Sequence, residues 1–242
     1  VPRPFLTARW LNLGILSFQV DGDLLAPHLP RGLSLDEFNG SPVASLVAFQ
    51  FHDTRVKGVR WPGHVNFPEW NLRFYVRRTM ADGSVRRGVV FVREFVPRRA
   101  ISMVAHWVYN EPYVTAAMRD DVGFNHDADL HAHYTLRYAG REHSMRIAAG
   151  AVPVTPAEDS TEHFFKEHQW GYGADRRGHL LEYEVRHPVW AVRPVRRYEL
   201  DIDWAALYGK QWGIMQGREP ISAVFAVGSE VEVLPKGRAV RA

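Results

Sequence analysis

The segment FPEWNLRFYV, residues 67–76, constrains the fold of this chain most tightly. Side chains alternate between the two faces of a strand, so Glu69, Asn71, Arg73 and Tyr75 share one face. Trp70, Leu72, Phe74 and Val76 share the other, and that face has to be buried. The first face carries a carboxylate, an amide and a guanidinium in mid-strand. It either meets water or lines an interior, and inside a sheet its charges need partners. The expectation is a long strand within a larger sheet, its polar face either lining a barrel lumen or solvated with a cross-strand ion pair.

The neighbouring segments support that expectation. RWLNLGILSFQVD (9–21), SPVASLVAFQFHD (41–53) and RRGVVFVREFV (86–96) read as long strands. Met80-Ala81-Asp82-Gly83 is a hairpin turn between 69–79 and 86–96. Residues 23–28 form a short helical turn stopped by Pro30. PRRAISMVAHWVYN (97–110) has helical spacing after a Pro suited to a first turn. A hairpin at 131–150 turns at Ala139-Gly140. A short helix at 161–170 runs into a strand, and further strands cover 178–192, 196–203 and 222–235, with Pro188 breaking the first of these. No repeat or compositional boundary divides the chain. The expected architecture is one α+β domain over residues 1–242, β-rich and mostly antiparallel, with a barrel-like sheet and a few short helices.

Composition removes several function classes. The chain has 242 residues and no cysteine, which excludes disulfides, thiolate metal sites and thiol catalysis. No apolar run approaches the roughly 20 residues of a membrane-spanning helix, and the opening VPRPFLTARW has no leader pattern. A soluble, cytoplasmic protein without membrane association is expected. The formal net charge is +3, but the arginines are dispersed in pairs such as Arg77-Arg78 and Arg196-Arg197, so no nucleic-acid partner is expected. Self-association is compatible with the sequence.

Two stretches outside the 67–76 strand hold candidate chemistry. HWVYNEPYV (106–114) brings His106, Glu111 and Tyr113 to a corner at Pro112, where the residues also read as a plain helix stop. HPVW places His187 and Trp190 beside a strand break. GFNHDADLHAH (123–133) is histidine-rich, with His131 and His133 on one strand face, an arrangement open to a metal taking N/O ligands; the residues before it read as a surface loop, and no metal site is assigned. Nucleophile elbow, Walker and dinucleotide motifs are absent.

Taken in order, the segments at 9–52, FPEWNLRFYV, RRAISMVAHWVYNEPY and GHLLEYEVRHPVWAV resemble the YqjF-like family of uncharacterised bacterial proteins, over about residues 9–192. That family is grouped by fold with acetoacetate decarboxylase. The resemblance implies a barrel or cone around a pocket. It also implies that Tyr109 to Val114 takes the place of a Gly-aromatic-Pro-Lys-Lys turn, whose first lysine forms a Schiff base with the substrate ketone. Here Pro112 is kept, while Tyr113 and Val114 replace the lysines, and neither can form an imine. The four lysines are Lys57, Lys166, Lys210 and Lys236, none of them in the motif.

The sequence therefore supports two readings. In one, the chain is a cofactor-free lyase or isomerase acting on a small anionic or carbonyl-bearing metabolite, with Glu69, Arg73, Glu111 and Tyr113 as its catalytic groups and Asn71, His106, His187 and Trp190 as ligand contacts. In the other, it is a non-catalytic binder of a small ligand.

Overall fold

The computed structural model describes residues 3–97, 112–125 and 129–238. The helix expected over 97–110 lies, apart from Pro97, outside these residues, as do His106 and Glu111. In chain order the strands begin with β1 (Leu6–Gln19), β2 (Ser34–Leu35), β3 (Val43–Val56), β4 (Phe67–Thr79) and β5 (Val85–Val96). They continue with β6 (Tyr113–Thr115), β7 (Ala117–Phe124), β8 (Leu130–Tyr138), β9 (Arg141–Ala149) and β10 (Trp170–Ala174). The last are β11 (Leu180–Arg186), β12 (Val192–Arg193), β13 (Val195–Asp201), β14 (Ser222–Val233) and β15 (Gly237–Arg238). The short helices are α1 (Gly22–Leu25), α2 (Thr161–Lys166) and α3 (Trp204–Tyr208).

The main sheet closes on itself. Its strands run β14-β1-β3-β4-β5-β10-β11, and β11 pairs back to β14 through Val185 opposite Val233 and Arg186 opposite Glu232. Every junction of this ring is antiparallel except β5–β10. Closure removes the free edges that an open sheet would expose, and it gives each strand an inner and an outer face. The sequence expectation of a strand-rich, mostly antiparallel α+β fold holds, with the large sheet ring-like.

The outer face of β1, β3, β4 and β5 packs against a second, four-stranded sheet ordered β13-β9-β8-β7. Trp70, Leu72 and Phe74 of β4, Ala44 and Leu46 of β3, and Tyr134, Leu136 and Ile147 of the second sheet form one buried cluster. The alternation of 67–76 thus sends its apolar residues outward from the ring, toward the larger core. The hairpin at 131–150 is present as β8–β9, but strands β7 and β13 extend it to a layer that the sequence reading did not assemble. The WAALYGKQWGIM segment was also unassigned from sequence. It forms α3 and a 3-10 turn over Lys210–Met215, with Asp203 Oδ1 capping Ala206 N at 2.9 Å. Its Tyr208 hydroxyl accepts from the Trp70 indole at 3.0 Å, tying α3 to the ring.

A bulge in β5 decides what the ring encloses. Leu72 faces Arg93, but the next residue, Arg73, faces Phe91, so Val92 is the extra residue. A one-residue insertion reverses the facing of everything beyond it. Val92 and Phe95 therefore join the outer cluster, while Phe91 and Glu94, three apart, both face the interior cavity.

One end of the interior is plugged by α2. Ser160 caps its first turn by accepting from His163 N at 3.1 Å, and Phe165 is fully buried against Val43, Tyr75 and Val89. The Phe165 carbonyl is left over at the helix end. It accepts from Arg73 Nη2 at 3.0 Å and from Tyr75 Oη at 3.1 Å. Tyr75 also bonds Ser45 at 2.6 Å, and Ser45 bonds Ser17 at 2.7 Å. Polar groups of three ring strands are thus satisfied through one another and through the plug, as burial demands.

The β1–β14 seam needs glycine at 228. Its φ is +86°, and a Cβ there would lie 1.9 Å from the Trp10 carbonyl oxygen. Gly83 in the β4–β5 hairpin has a similar φ of +81° with nothing within 4 Å. Gly83→Ala is expected to cost about 1–2 kcal/mol, the left-handed backbone penalty alone. Gly228→Ala is expected to cost well beyond that, on the order of 4 kcal/mol, because the backbone must also separate. Urea denaturation of the two variants checks this; equal losses would show that the seam gives way without strain.

Candidate functional site

The inner faces of β1, β3, β4, β5 and β6 surround a cavity of about 80 Å³. Strand β4 contributes Glu69, Asn71 and Arg73, because alternation points all three the same way. The bulge adds Glu94 and Phe91 from β5. Tyr113 enters from β6, which lies parallel to β5 with Tyr113 opposite Glu94. Trp10, Leu13, Val47 and Phe49 supply apolar wall. Four of the residues singled out from sequence, Glu69, Asn71, Arg73 and Tyr113, therefore border one space.

The polar side chains are deeply buried, with Glu69, Asn71 and Glu94 at 3, 2 and 1% exposure. The Asn71 amide nitrogen donates to Glu69 Oε1 at 3.0 Å, and the Tyr113 hydroxyl lies 3.4 Å from Glu69 Oε2. A carboxylate only accepts, so the amide orientation is fixed by chemistry, and Asn71 Oδ1 is turned away from Glu69. Among the described residues Oδ1 is buried with no hydrogen-bond partner, and so is Arg73 Nε. No carboxylate among the described residues pairs with Arg73, whose partners are the Phe165 carbonyl and the Tyr75 ring, 5.9 Å away.

Glu94 escaped the sequence reading. In VVFVREFV strict alternation groups it with Val90 and Val92, and nothing in the residue types announces the bulge that turns it inward. Glu111 and His106 lie outside the described residues. His187 and Trp190 do not line the cavity. Trp190 donates to Ser229 at 2.8 Å and packs 6.3 Å from Trp10, one layer behind the wall. His187 stacks on Trp190 at 4.0 Å and its Nδ1 lies 2.9 Å from the Pro188 carbonyl. Burial lowers its pKa, partly opposed by that carbonyl. In the histidine-rich stretch, His131 Nε2 lies 3.8 Å from Asp121 on the second sheet, remote from the ring interior.

Two ionic features flank the plug. Lys166 has a side chain with no solvent exposure and is paired with Glu167, which also accepts from Trp190 N at 3.3 Å. His168 is buried between Tyr75 and Phe164, with Nε2 3.1 Å from Asp36 Oδ2. Asp36 also accepts from Arg87 Nε at 2.5 Å. Burial lowers the His168 pKa to about 4, outweighing the opposing Asp36 bond. For Asp36 burial acts upward, but the bonds from His168 and Arg87 outweigh it and hold its pKa low. At neutral pH His168 is therefore neutral and donates Nε2–H to an ionised Asp36.

Residues 7–230 match DUF2071, an uncharacterized conserved protein family. The chain belongs to that family. It is 24% identical over 187 residues to the uncharacterized protein YqjF of Bacillus subtilis (strain 168), covering 76% of this chain and 73% of YqjF. The fold is shared with acetoacetate decarboxylase from Legionella pneumophila, at TM-score 0.65 and 15% identity, covering 99% of this chain and 88% of that one. It is also shared with an acetoacetate decarboxylase-like enzyme from Sphingomonas wittichii RW1, at TM-score 0.63 and 14% identity, covering 97 and 94%. The enduracididine biosynthesis enzyme MppR, complexed with pyruvate, matches at TM-score 0.61 and 15% identity, covering 97 and 89%. Some structural neighbours are thus enzymes; at these identities the likeness establishes the fold.

The buried His168 has a stability consequence. Its folded pKa lies below the unfolded value of 6.5, so the unfolded chain takes up the proton first as pH falls. The associated stability is complete above about pH 6.5 and is lost progressively down to about pH 4, by about 3 kcal/mol in total. Urea titrations at steps across that window should show a steeper loss in the wild type than in His168→Gln. Parallel pH curves for the two proteins would place the proton uptake elsewhere.

Proposed function

We propose that the chain is a cofactor-free enzyme of the isomerase or lyase class, acting by proton transfer on a small anionic or carbonyl-bearing metabolite. The observation that carries this reading is the meeting of two buried carboxylates, Glu69 and Glu94, with a guanidinium that no described carboxylate neutralises. Arg73 is half-buried with its Nε buried; a partly desolvated charge without a counter-ion is unfavourable, and a ligand anion at Arg73 relieves that. Arg73 orients the substrate through its planar fork. A carboxylate, Glu69 or Glu94, takes a proton from the carbon next to the carbonyl. The Tyr113 hydroxyl donates to the enolate oxygen that forms. Return of the proton to a different carbon completes an isomerisation with no net change in atoms. The pyruvate bound by MppR is a keto acid of the size this cavity suits.

A non-catalytic reading draws on the apolar wall of Trp10, Leu13, Val47 and Phe49. The two readings separate in heavy water. With a series of short keto acids, proton NMR should show the wild type washing deuterium into the carbon beside the carbonyl. Glu69→Gln or Glu94→Gln should slow this about 10²–10⁴-fold. Ligand binding without wash-in for any member would leave a binder.

Arg73 gives a second test. Arg73→Lys is expected to weaken carboxylate-dependent thermal stabilisation about 10–100-fold in ligand concentration, because lysine lacks the fork. Unliganded melting should stay within a few degrees of wild type. If Arg73→Met melts higher than wild type and no acid shifts either protein, Arg73 serves the fold alone.

The proposal also excludes imine chemistry. Borohydride treatment in the presence of a β-keto acid should leave the intact mass unchanged. A stoichiometric adduct mapped to Lys166 or Lys57 would replace proton transfer with a Schiff-base route from a relocated lysine.

A further inference from the structure

The wall of the ring is broken beside the cavity. On the side of β5 away from β4, pairing with β10 ends at Val90, opposite Tyr172. Pairing with β6 begins at Glu94, whose backbone N donates to the Pro112 carbonyl at 3.2 Å. Residues 91–93 between them have no strand partner on that side among the described residues. That stretch leaves a gap of roughly 10 Å along the strand, and the bulge at Val92 falls within it. Beyond the gap lies a second pocket of about 190 Å³, more than twice the volume of the cavity within. Pro27, Leu29 and Pro30 after α1, Val90 of β5 and Pro112 before β6 make its described lining mainly apolar, with His28 among them. Phe91 lines both spaces. Its side chain is half-buried and packs against the cluster that holds Tyr75 and Phe165.

We infer, resting on the proton-transfer reading above, that Phe91 sets the length of keto acid this site takes: its ring is the partition between the cavity and the outer pocket, and it confines the substrate to short chains. Arg73 lies opposite Phe91 in the β4–β5 register, and Glu94 stands at the other edge of the gap. A keto acid with its carboxylate at Arg73 and its reacting carbon near Glu94 therefore lies along the gap. Carbons beyond the reacting one have the gap as their outlet, and the phenyl ring stops them there. The cavity of about 80 Å³ then suits pyruvate and its next homologues. Removing the ring joins the two spaces. Each further methylene buried among the prolines and Leu29 then strengthens binding roughly fourfold, the worth of one buried CH₂. Phe91 meets the tail of the substrate and none of the reacting atoms, so its role is in specificity.

The test is a series of straight-chain keto acids from pyruvate to 2-oxooctanoate, read on the full chain by isothermal titration calorimetry and by deuterium wash-in. Wild type is expected to favour the short members. In Phe91→Ala the ratio of 2-oxooctanoate to pyruvate, in affinity and in wash-in rate, should rise about 10–100-fold, a few methylenes' worth. Phe91→Leu, a smaller excision that spares the fold more, should move the ratio the same way by less. Val92→Ala, on the outward face of the same strand, loses core packing too but should keep the wild-type ratio. Melting curves establish that each variant is folded. An unchanged chain-length profile in both Phe91 variants, or a wild type that takes 2-oxooctanoate as well as pyruvate, would overturn the partition and leave the proton-transfer reading standing. A shifted binding profile with no wash-in from any member would keep the partition and remove proton transfer. Absence of binding and wash-in throughout the series, in wild type and variants alike, would sink both.

Discussion

Closing the main sheet by the β11–β14 pairing gives the strands an inward face on which Glu69, Asn71 and Glu94 are buried. Every polar side chain that alternation directs inward must then be satisfied by another part of the protein or by a guest. The ring answers this in two ways. Toward the α2 end, Ser17, Ser45, Tyr75 and the Phe165 carbonyl complete one another. Toward the cavity, Asn71 Oδ1 and Arg73 Nε have no hydrogen-bond partner among the described residues. The first arrangement is a device of folding. The second is the kind of local inconsistency that proteins keep where they do chemistry.

The outer face of the same strands obeys a different rule. Trp70, Leu72 and Phe74 pack against the second sheet and α3, so β4 is buried on both sides. This explains why a strand with a carboxylate and a guanidinium in its middle can still be central to the structure. Its outward half contributes apolar burial, at about 25 cal/mol per Å² of surface, while its inward half lines the cavity.

Much of this was legible in the sequence, for reasons that particular residues make clear. Period-2 alternation in FPEWNLRFYV is strict, and it correctly grouped Glu69, Asn71 and Arg73 on one face. Long apolar runs announced β1, β3 and β5, and a resemblance over most of the chain pointed to the enclosing fold. The rest depended on facts that residue types do not carry. Glu94 is turned inward by an extra residue at Val92, an event of backbone register. Lys166 reads as a surface lysine of a short helix and becomes buried only because α2 plugs the ring. His187 and Trp190, prominent as HPVW, are placed by the stacking of Trp190 behind Trp10, a distance no local pattern encodes. Strand β7 is interrupted by Arg119-Asp120-Asp121, and β13 sets Val195, Tyr198 and Leu200 among charged residues, so their pairing into a second sheet had only a weak apolar signal.

The single parallel junction of the ring, β5–β10, has a consequence for how the molecule comes to exist. Antiparallel neighbours such as β4 and β5 meet across a short hairpin, but between Gly88 and Trp170 the chain also builds β7, β8, β9 and α2. Loop-closure entropy defers such long-range contacts until nearer ones are in place. The seam is therefore a late event in assembly, and the chamber behind it comes into being only with the finished fold. Partly folded chains carry the same side chains without the enclosure, so the cavity is a property of completed molecules alone.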